Sequence, residues 1–158
     1  MIVITGVTGN VGREAARILA AEGVPFRVLA RDPARAPEHP HATLLRADYT
    51  DAASLRDALA PGDRVFMVSA HESREVRVAA HRTFVEAAAR AGVAHIVYLS
   101  FLGASHGSEF FHAQSRATTE ALIRASGVPF TFLRTSLYSA SLAMFFTDGL
   151  MCGPAGDG

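Results

Sequence analysis

Residues 1–12, MIVITGVTGNVG, constrain the fold more than any other stretch of the sequence. Residues 2–4 are apolar and predict a short strand, which leads straight into glycines at positions 6, 9 and 12. An amphipathic pattern then begins at Arg13 and predicts a helix. A strand, a glycine turn and a helix in this order gather main-chain N–H groups around an anion, as a dinucleotide pyrophosphate requires.

Each glycine of this turn has its own expected role. Gly6 lets the chain turn sharply out of the strand, and Gly9 removes a side chain where the backbone must touch phosphate. Gly12 allows the helix to lie close on the sheet. Three glycines alone are a weak signal, but the strand before them and the helix and second strand after them make the motif specific.

The rest of the chain alternates predicted strands with predicted helices, which indicates an α/β fold with a doubly wound parallel sheet. Strands are expected at residues 26–30, 42–46, 64–68, 94–99 and 129–133, and the expected strand order is 3-2-1-4-5-6. Helices are expected at residues 51–60 (with Thr50 as the N-cap), 73–91 and 111–125. Residues 139–149 are interpreted as one more helix.

Length and composition fit one domain over residues 1–158. The chain has 15 basic and 15 acidic residues, so nothing in its charge indicates a nucleic acid or membrane partner. The single Cys152 excludes an internal disulfide and suits a reducing compartment. Because the sequence starts directly in a strand and has no apolar run long enough to span a bilayer, we expect a cytoplasmic protein.

The residues after the second strand bear on the type of cofactor. An acidic residue there accepts a hydrogen bond from the ribose 2′-hydroxyl of NAD, whereas an arginine favours the 2′-phosphate of NADP. Arg31 and Asp32 both lie about 20 residues past Gly12. Asp32 precedes Pro33 and is interpreted as a helix cap, so Arg31 is assigned to the phosphate and NADP(H) is preferred over NAD(H). The alternative is that Arg31 is a solvated surface charge.

Other candidate contacts follow the remaining strands, at the edge where such sheets bind ligands. Asp48 and Tyr49 are placed to reach the adenine, although a turn around Thr50 explains them equally well. Ser69 and Ala70 are small and allow a close approach of the backbone to the cofactor. The hydroxyl of Ser100 is expected near the nicotinamide ribose or the substrate.

Two other classes of site are disfavoured by spacing. His71, His106 and His112 are expected at the functional edge, but none has the spacing of paired metal ligands, so no metal site is predicted. The sequence also contains no G-x-S-x-G motif, which argues against a serine hydrolase.

Several motifs together resemble a known family. GVTGNVG, RDPAR, ADYTDAASL and AGVAHIVYLS are similar to atypical short-chain dehydrogenases/reductases of the NmrA-like branch, and residues 112–138 resemble its NADPH-dependent quinone oxidoreductases. The resemblance implies a Rossmann NAD(P)-binding fold. It also implies a longer protein whose substrate region is absent or truncated here, with residues 138–158 as its start. The implied cofactor contacts are Gly6, Thr8, Gly9, Asn10, Val11, Gly12 and Arg31.

The chain departs from the Tyr-x-x-x-Lys pair that most short-chain dehydrogenases carry. Counting back from Glu120 places Arg116 at the Lys position and His112 at the Tyr position. His112 is the candidate proton donor and Arg116 the candidate for stabilising charge, while the alternative is that both are exposed helix residues. Reducing a ketone needs a positioned acid, whereas a quinone gives a delocalised product that water can protonate.

The sequence therefore predicts an oxidoreductase that transfers hydride from NADPH to a quinone or a similar electron-poor acceptor. The alternative is a non-catalytic NAD(P)-binding redox sensor of the NmrA type. The expected partner is a small-molecule acceptor, and the prediction leaves room for a homo-oligomer.

Overall fold

The computed structural model of the chain describes residues 1–70, 73–138, 146–147 and 150–151. Six parallel strands form one sheet in the order β3-β2-β1-β4-β5-β6, which confirms the predicted fold class and strand order. The strands are β1 (Ile2–Thr5), β2 (Phe26–Ala30), β3 (Ala42–Arg46), β4 (Arg64–Met67), β5 (His95–Phe101) and β6 (Phe130–Thr135).

Four helices and one short 3-10 turn connect these strands. They are α1 (Asn10–Ala21), the 3-10 turn (Pro33–Arg35), α2 (Ala52–Ala58), α3 (Arg74–Arg90) and α4 (Phe111–Ala125). The N-cap of α2 is Asp51, not Thr50 as predicted, because the Asp51 carboxylate accepts hydrogen bonds from the backbone N–H groups of Ala53 and Ser54 at 3.0 and 3.1 Å. Thr50 instead donates its N–H and its hydroxyl to Asp48 Oδ1, at 2.9 and 2.8 Å.

The apolar core lies on both faces of the sheet, as the uninterrupted apolar run of β1 requires. Successive residues of β1 point to opposite faces, so Val3 and Ile4 belong to two different clusters. Ile4 packs in the cluster that contains Ala16 of α1. Val3 packs in the cluster that contains Leu55 of α2 and Phe84 of α3. With layers on both sides, β1 is fixed at the centre, and the loop that follows it is held rigidly at the carboxyl edge.

The last described elements differ from the prediction of a helix at residues 139–149. Phe146–Thr147 forms β7 and pairs antiparallel with β8 (Leu150–Met151). The sequence between these strands is Asp148-Gly149, which is typical of two-residue hairpin turns and unfavourable inside a helix. The other residues of the predicted helix lie outside the described residues. Among the helices that the structure describes, none combines the length and the apolar character needed to cross a bilayer.

Candidate functional site

A cleft of about 320 Å³ opens at the carboxyl ends of β1 to β4, where the strand order reverses around β1. This is the edge at which open α/β sheets bind ligands. The cleft is lined by residues from the four loops that follow these strands. Among the predicted site residues, those that line it are Gly6, Thr8, Gly9, Arg31, Asp48, Tyr49, Ser69 and Ala70.

The glycine turn leaves no room for side chains at two of its three glycines. Gly6 has φ +67°, and a Cβ there would lie 2.8 Å from Cβ of Val68. A Cβ on Gly12 would lie 2.4 Å from the carbonyl oxygen of Gly6, so α1 approaches the end of β1 too closely for any other residue. Gly9 is different, since its Cβ would meet only the Gly6 carbonyl oxygen at 3.4 Å. Any requirement for glycine at position 9 therefore comes from a ligand rather than from the fold.

The amino end of α1 is open to an anion. Gly9 is its N-cap and provides no side-chain hydrogen bond. The first N–H groups of a helix have no intrahelical acceptor, and the helix dipole adds partial positive charge at this end. Asn10, Val11 and Gly12 form this first turn, directly beside the cleft-lining Thr8 and Gly9. These residues fit a dinucleotide pyrophosphate, because backbone donors face it and no side chain fills the cradle.

The end of β2 supplies positive charge to the same cleft. Asp32 accepts a hydrogen bond from the backbone N–H of Ala34 at 3.1 Å and caps the 3-10 turn, which confirms its interpretation as a cap. Arg31 and Arg35 are both exposed and both line the cleft. The sequence reasoning did not include Arg35. The 3-10 turn that Asp32 caps brings Arg35 to the cleft that Arg31 also lines. The motif RDPAR is the sequence feature from which this second arginine could have been predicted.

Tyr49 forms part of the cleft wall while its hydroxyl faces the protein. The hydroxyl lies 2.7 Å from Thr5 Oγ1 and 3.0 Å from the Val68 carbonyl oxygen. Burial raises the pKa of this hydroxyl, so it stays protonated. Thr5 Oγ1 also accepts the N–H of Val68 at 2.9 Å. Thr5, another cleft residue absent from the prediction, thus joins the ends of β1, β3 and β4.

Ser100 does not line the cleft. Its side chain is buried, and its hydroxyl donates to Glu120 Oε1 at 2.6 Å. Glu120 also accepts two hydrogen bonds from Arg134, at 2.9 and 2.7 Å. Burial acts to raise the pKa of Glu120, but the hydrogen bonds from Arg134 and Ser100 outweigh it and hold the pKa below its usual range. The Ser100 hydroxyl is thus committed to a buried ionised carboxylate between β5, α4 and β6.

His112 and Arg116 lie on the first turns of α4 and do not line the cleft either. Arg116 Nη1 donates to the Leu99 carbonyl oxygen at 3.3 Å and to the Tyr98 hydroxyl at 3.4 Å, while its buried Nε has no hydrogen-bond partner among the described residues. His112 is half-buried, and its Nδ1 lies 3.4 Å from Arg77 Nη1.

A buried polar cluster between α3 and α4 was not predicted. Its members are Arg77, His81, Ser115 and Thr119, each 4% exposed or less. On each helix the two members are one turn apart, so they share a face. That spacing is visible in the sequence, but charged and polar residues at such positions ordinarily indicate a solvated face.

Candidate metal ligands do not converge in the described part of the chain, where no group of three His, Cys, Asp or Glu side chains is placed to hold an ion. His106 is exposed on the loop after β5. His71 and Cys152 lie outside the described residues.

Comparison with known proteins links this site to nucleotide-dependent enzymes. A family model described as NAD(P)H-binding matches residues 6–140. A (4-alkanoyl-5-oxo-2,5-dihydrofuran-3-yl)methyl phosphate reductase from Streptomyces griseus is 39% identical over 145 residues, covering 89% of this chain and 49% of that protein. Quinone oxidoreductase 2 from Escherichia coli is 34% identical over 166 residues, covering 100% of this chain and 57% of that protein.

Two further matches agree with these. An NmrA-like family domain-containing oxidoreductase from Aspergillus flavus is 29% identical over 154 residues, covering 90% of this chain and 50% of that protein. The crystal structure of an Escherichia coli NADPH-dependent quinone oxidoreductase complexed with NADPH matches with a TM-score of 0.82 and 33% identity, covering 91% of this chain and 52% of that chain. The predicted resemblance is confirmed. The chain spans about half the length of the curated relatives it matches.

Proposed function

Because the chain belongs to the NAD(P)H-binding family, we propose that the intact protein is an NADPH-dependent oxidoreductase that reduces a quinone or a similar electron-poor acceptor. The observation that carries this proposal is the cleft itself. It joins a glycine turn with no room for a side chain at Gly6 and Gly12, an open helix amino end and two arginines, at the edge where open α/β sheets bind ligands. Relatives that include a quinone oxidoreductase support the choice of acceptor.

The preference for NADPH rests on the residues after β2. The Asp32 carboxylate lines the cleft but uses Oδ1 to cap the 3-10 turn, so part of its acceptor capacity is already engaged. Arg31 and Arg35 line the cleft beside it, and guanidinium groups bind phosphate with planar, charge-assisted hydrogen bonds. We assign both arginines to the 2′-phosphate, with Arg31 as the principal contact.

Titrating the intact protein with NADPH and NADH tests this assignment. Arg31→Ala is expected to weaken NADPH binding about tenfold and to leave NADH binding unchanged, because only NADPH carries the 2′-phosphate. Arg82→Ala, which removes an exposed arginine from α3, is the control and is expected to change neither affinity. Equal affinities for the two cofactors, unaltered by Arg31→Ala, would contradict the assignment.

The chain's own residues give the reaction its proposed character. When bound, reduced nicotinamide supplies a hydride. The glycine turn and the amino end of α1 hold the pyrophosphate, and the Tyr49 wall packs beside the cofactor. Neither candidate from α4, His112 or Arg116, lines the cleft in the part of the chain that the structure describes. Such a site suits acceptors whose reduced form is weakly basic and takes its proton from water.

Steady-state oxidation of NADPH by the intact protein tests the reaction. We expect turnover with a panel of quinones and none with simple ketones, because only a ketone needs a positioned acid to protonate the alkoxide that hydride transfer forms. His112→Asn keeps a polar side chain and is expected to lower kcat for quinones by no more than about tenfold. Tight NADPH binding without any acceptor-dependent turnover would contradict the proposal and favour the redox-sensor alternative.

A further inference from the structure

The main chain of Ala70, in the wall of the cleft after β4, is held at both of its polar atoms by side chains from α3. The Ala70 N–H donates to His81 Nε2 at 3.0 Å. The Ala70 carbonyl oxygen accepts from Arg77 Nε at 2.9 Å. Arg77 and His81 are one helical turn apart, so both reach the main chain of the same residue from the same side of α3. The position and orientation of this part of the wall therefore depend on two buried side chains.

The hydrogen bonds of His81 determine its tautomer. The Thr119 hydroxyl donates to the Ser115 carbonyl oxygen at 3.1 Å, so it is an acceptor for His81 Nδ1, which lies 2.8 Å away. With the proton on Nδ1, the bare Nε2 is free to accept from Ala70. Burial, together with the positive charges of Arg116 and Arg77, lowers the pKa of His81 to about 3. His81 therefore stays neutral near pH 7 and keeps this pattern.

Arg77 continues the connection to the start of α4. Its Nη1 donates to Ser115 Oγ at 3.0 Å and lies 3.4 Å from His112 Nδ1. The Ser115 hydroxyl donates in turn to the His112 carbonyl oxygen at 3.0 Å. The guanidinium group of Arg77 thus contacts two regions. It binds the main chain of Ala70 in the cleft wall, and it binds the first turns of α4, which carry the candidate proton donor His112.

The polar composition of this cluster is not what helix packing alone selects. A buried arginine and a buried histidine cost desolvation, and apolar residues of similar volume would join α3 to α4 at least as well. What the apolar residues would not provide is an acceptor for the Ala70 N–H group and a donor for the Ala70 carbonyl oxygen. His81 and Arg77 supply these two partners.

We infer that His81 and Arg77 are positioning residues, which fix the main chain at Ala70 for cofactor binding and connect the cleft wall to the His112 turn of α4. The inference rests on the proposed function, since it requires that the Ala70 wall contacts the bound nucleotide. Neither side chain lines the cleft, so each acts through the backbone that it holds.

The test compares NADPH affinity with thermal stability in variants of the intact protein. His81→Phe keeps a ring but removes both hydrogen bonds, and is expected to raise the Kd for NADPH about tenfold. His81→Gln supplies an acceptor for Ala70 and a donor for Thr119, and is expected to bring the Kd back to within about threefold of wild type. Ile123→Ala is the matched control, because it opens a buried cavity one helical turn beyond Thr119 and removes no hydrogen-bonding group.

A positioning role of His81 and a purely structural role of His81 predict different outcomes. We expect Ile123→Ala to lower Tm at least as much as His81→Phe does while its Kd for NADPH stays within about twofold of wild type. A folded His81→Phe variant with the wild-type Kd would overturn the inference, and so would a Kd for Ile123→Ala that rises as much as that of His81→Phe. Wild-type protein that binds no NADPH would overturn the proposed function instead.

A measurement on the wild-type protein covers the case in which His81→Phe does not fold. The hydrogen bond from Ala70 to His81 joins two nitrogen atoms, so nuclear magnetic resonance is expected to detect a scalar coupling between them. Adding NADPH is expected to shift the Ala70 amide signal while this coupling persists. A proton found on His81 Nε2, or an Ala70 signal that is indifferent to bound NADPH, would contradict the inference.

Discussion

The centre of the sheet and its β6 edge differ in how completely their side chains are covered. In β1, Val3 and Ile4 are 0% and 1% exposed, whereas in β6, Phe130 and Leu133 are 39% and 42% exposed. β1 has a strand on either side and helices on both faces, but β6 pairs only with β5 within the described residues. The β6 edge therefore leaves apolar side chains exposed, whereas the centre of the sheet covers them on both faces.

This difference teaches that the cofactor-binding side of the sheet and its β6 side are separable in this chain. The cofactor-binding side depends on backbone geometry around β1 that the described residues complete by themselves. On the β5–α4–β6 side, the buried carboxylate of Glu120 is bound by Ser100 and by the partly exposed Arg134, next to exposed apolar side chains. Substitutions near β1 should therefore alter cofactor binding. Substitutions near β6 should alter the free energy of unfolding and leave cofactor binding unchanged.

The largest expected effect separates two glycines of the same turn. Gly12→Ala places a Cβ 2.4 Å from the Gly6 carbonyl oxygen, so we expect it to lower the free energy of unfolding by about 3 kcal/mol. Gly9→Ala meets nothing closer than 3.4 Å, and we expect it to leave stability unchanged while weakening NADPH binding. Urea unfolding and NADPH titration measure the two effects. Gly107→Ala is the control for both, and a Gly9→Ala variant with wild-type affinity would show that no phosphate approaches this residue.

A smaller effect is expected on the β6 side. Glu120→Gln removes the charge that Arg134 and Ser100 solvate, and we expect it to lower the free energy of unfolding by about 2 kcal/mol, since Arg134 remains partly hydrated. The Kd for NADPH should stay at its wild-type value. Glu86→Gln, at an exposed pair with Arg90, is the matched control and should change neither quantity. A weakened NADPH affinity in Glu120→Gln would argue against the separation of the two sides.

The smallest effect is a pH dependence of stability caused by His81. Its pKa is near 3 in the folded chain and about 6.5 in the unfolded chain. Between these two values, the unfolded state binds a proton that the folded state does not bind. This contribution to stability is fully present above pH 6.5 and is lost as pH falls. We expect the free energy of unfolding to drop by about 1.3 kcal/mol from pH 7 to pH 5.5 because of this residue. Urea unfolding should find a flatter profile in His81→Phe and an unchanged one in the exposed control His106→Asn.

The sequence was sufficient for features that local chemistry decides. The bounds of β2 and β3 agree with the prediction, because apolar runs flanked by turn residues define short strands. The cap at Asp32 followed from Pro33 alone. Local chemistry did not predict the N-cap of α2, because two neighbouring residues, Thr50 and Asp51, are both favourable N-caps. Thr50 hydrogen-bonds to Asp48 instead, which leaves Asp51 as the cap.

Features that depend on distant partners could not be predicted. Ser100 lies at the carboxyl end of β5, as a cofactor contact would, but Glu120 on α4 accepts the hydrogen bond from its hydroxyl. His81 lies mid-helix with no motif around it, and its importance depends on Ala70 and Thr119 being brought to its two ring nitrogens. Such contacts arise from the packing of α3 against α4, which no spacing within either helix reveals.

Calorimetric titration of the intact protein with NADPH and NADH tests most directly whether this chain holds a phosphorylated nicotinamide nucleotide by its glycine turn. We expect one NADPH bound per chain, with an affinity about tenfold above that for NADH, and a marked loss of that affinity in Gly9→Ala. Absence of binding heat with either nucleotide, or full affinity in Gly9→Ala, would contradict it.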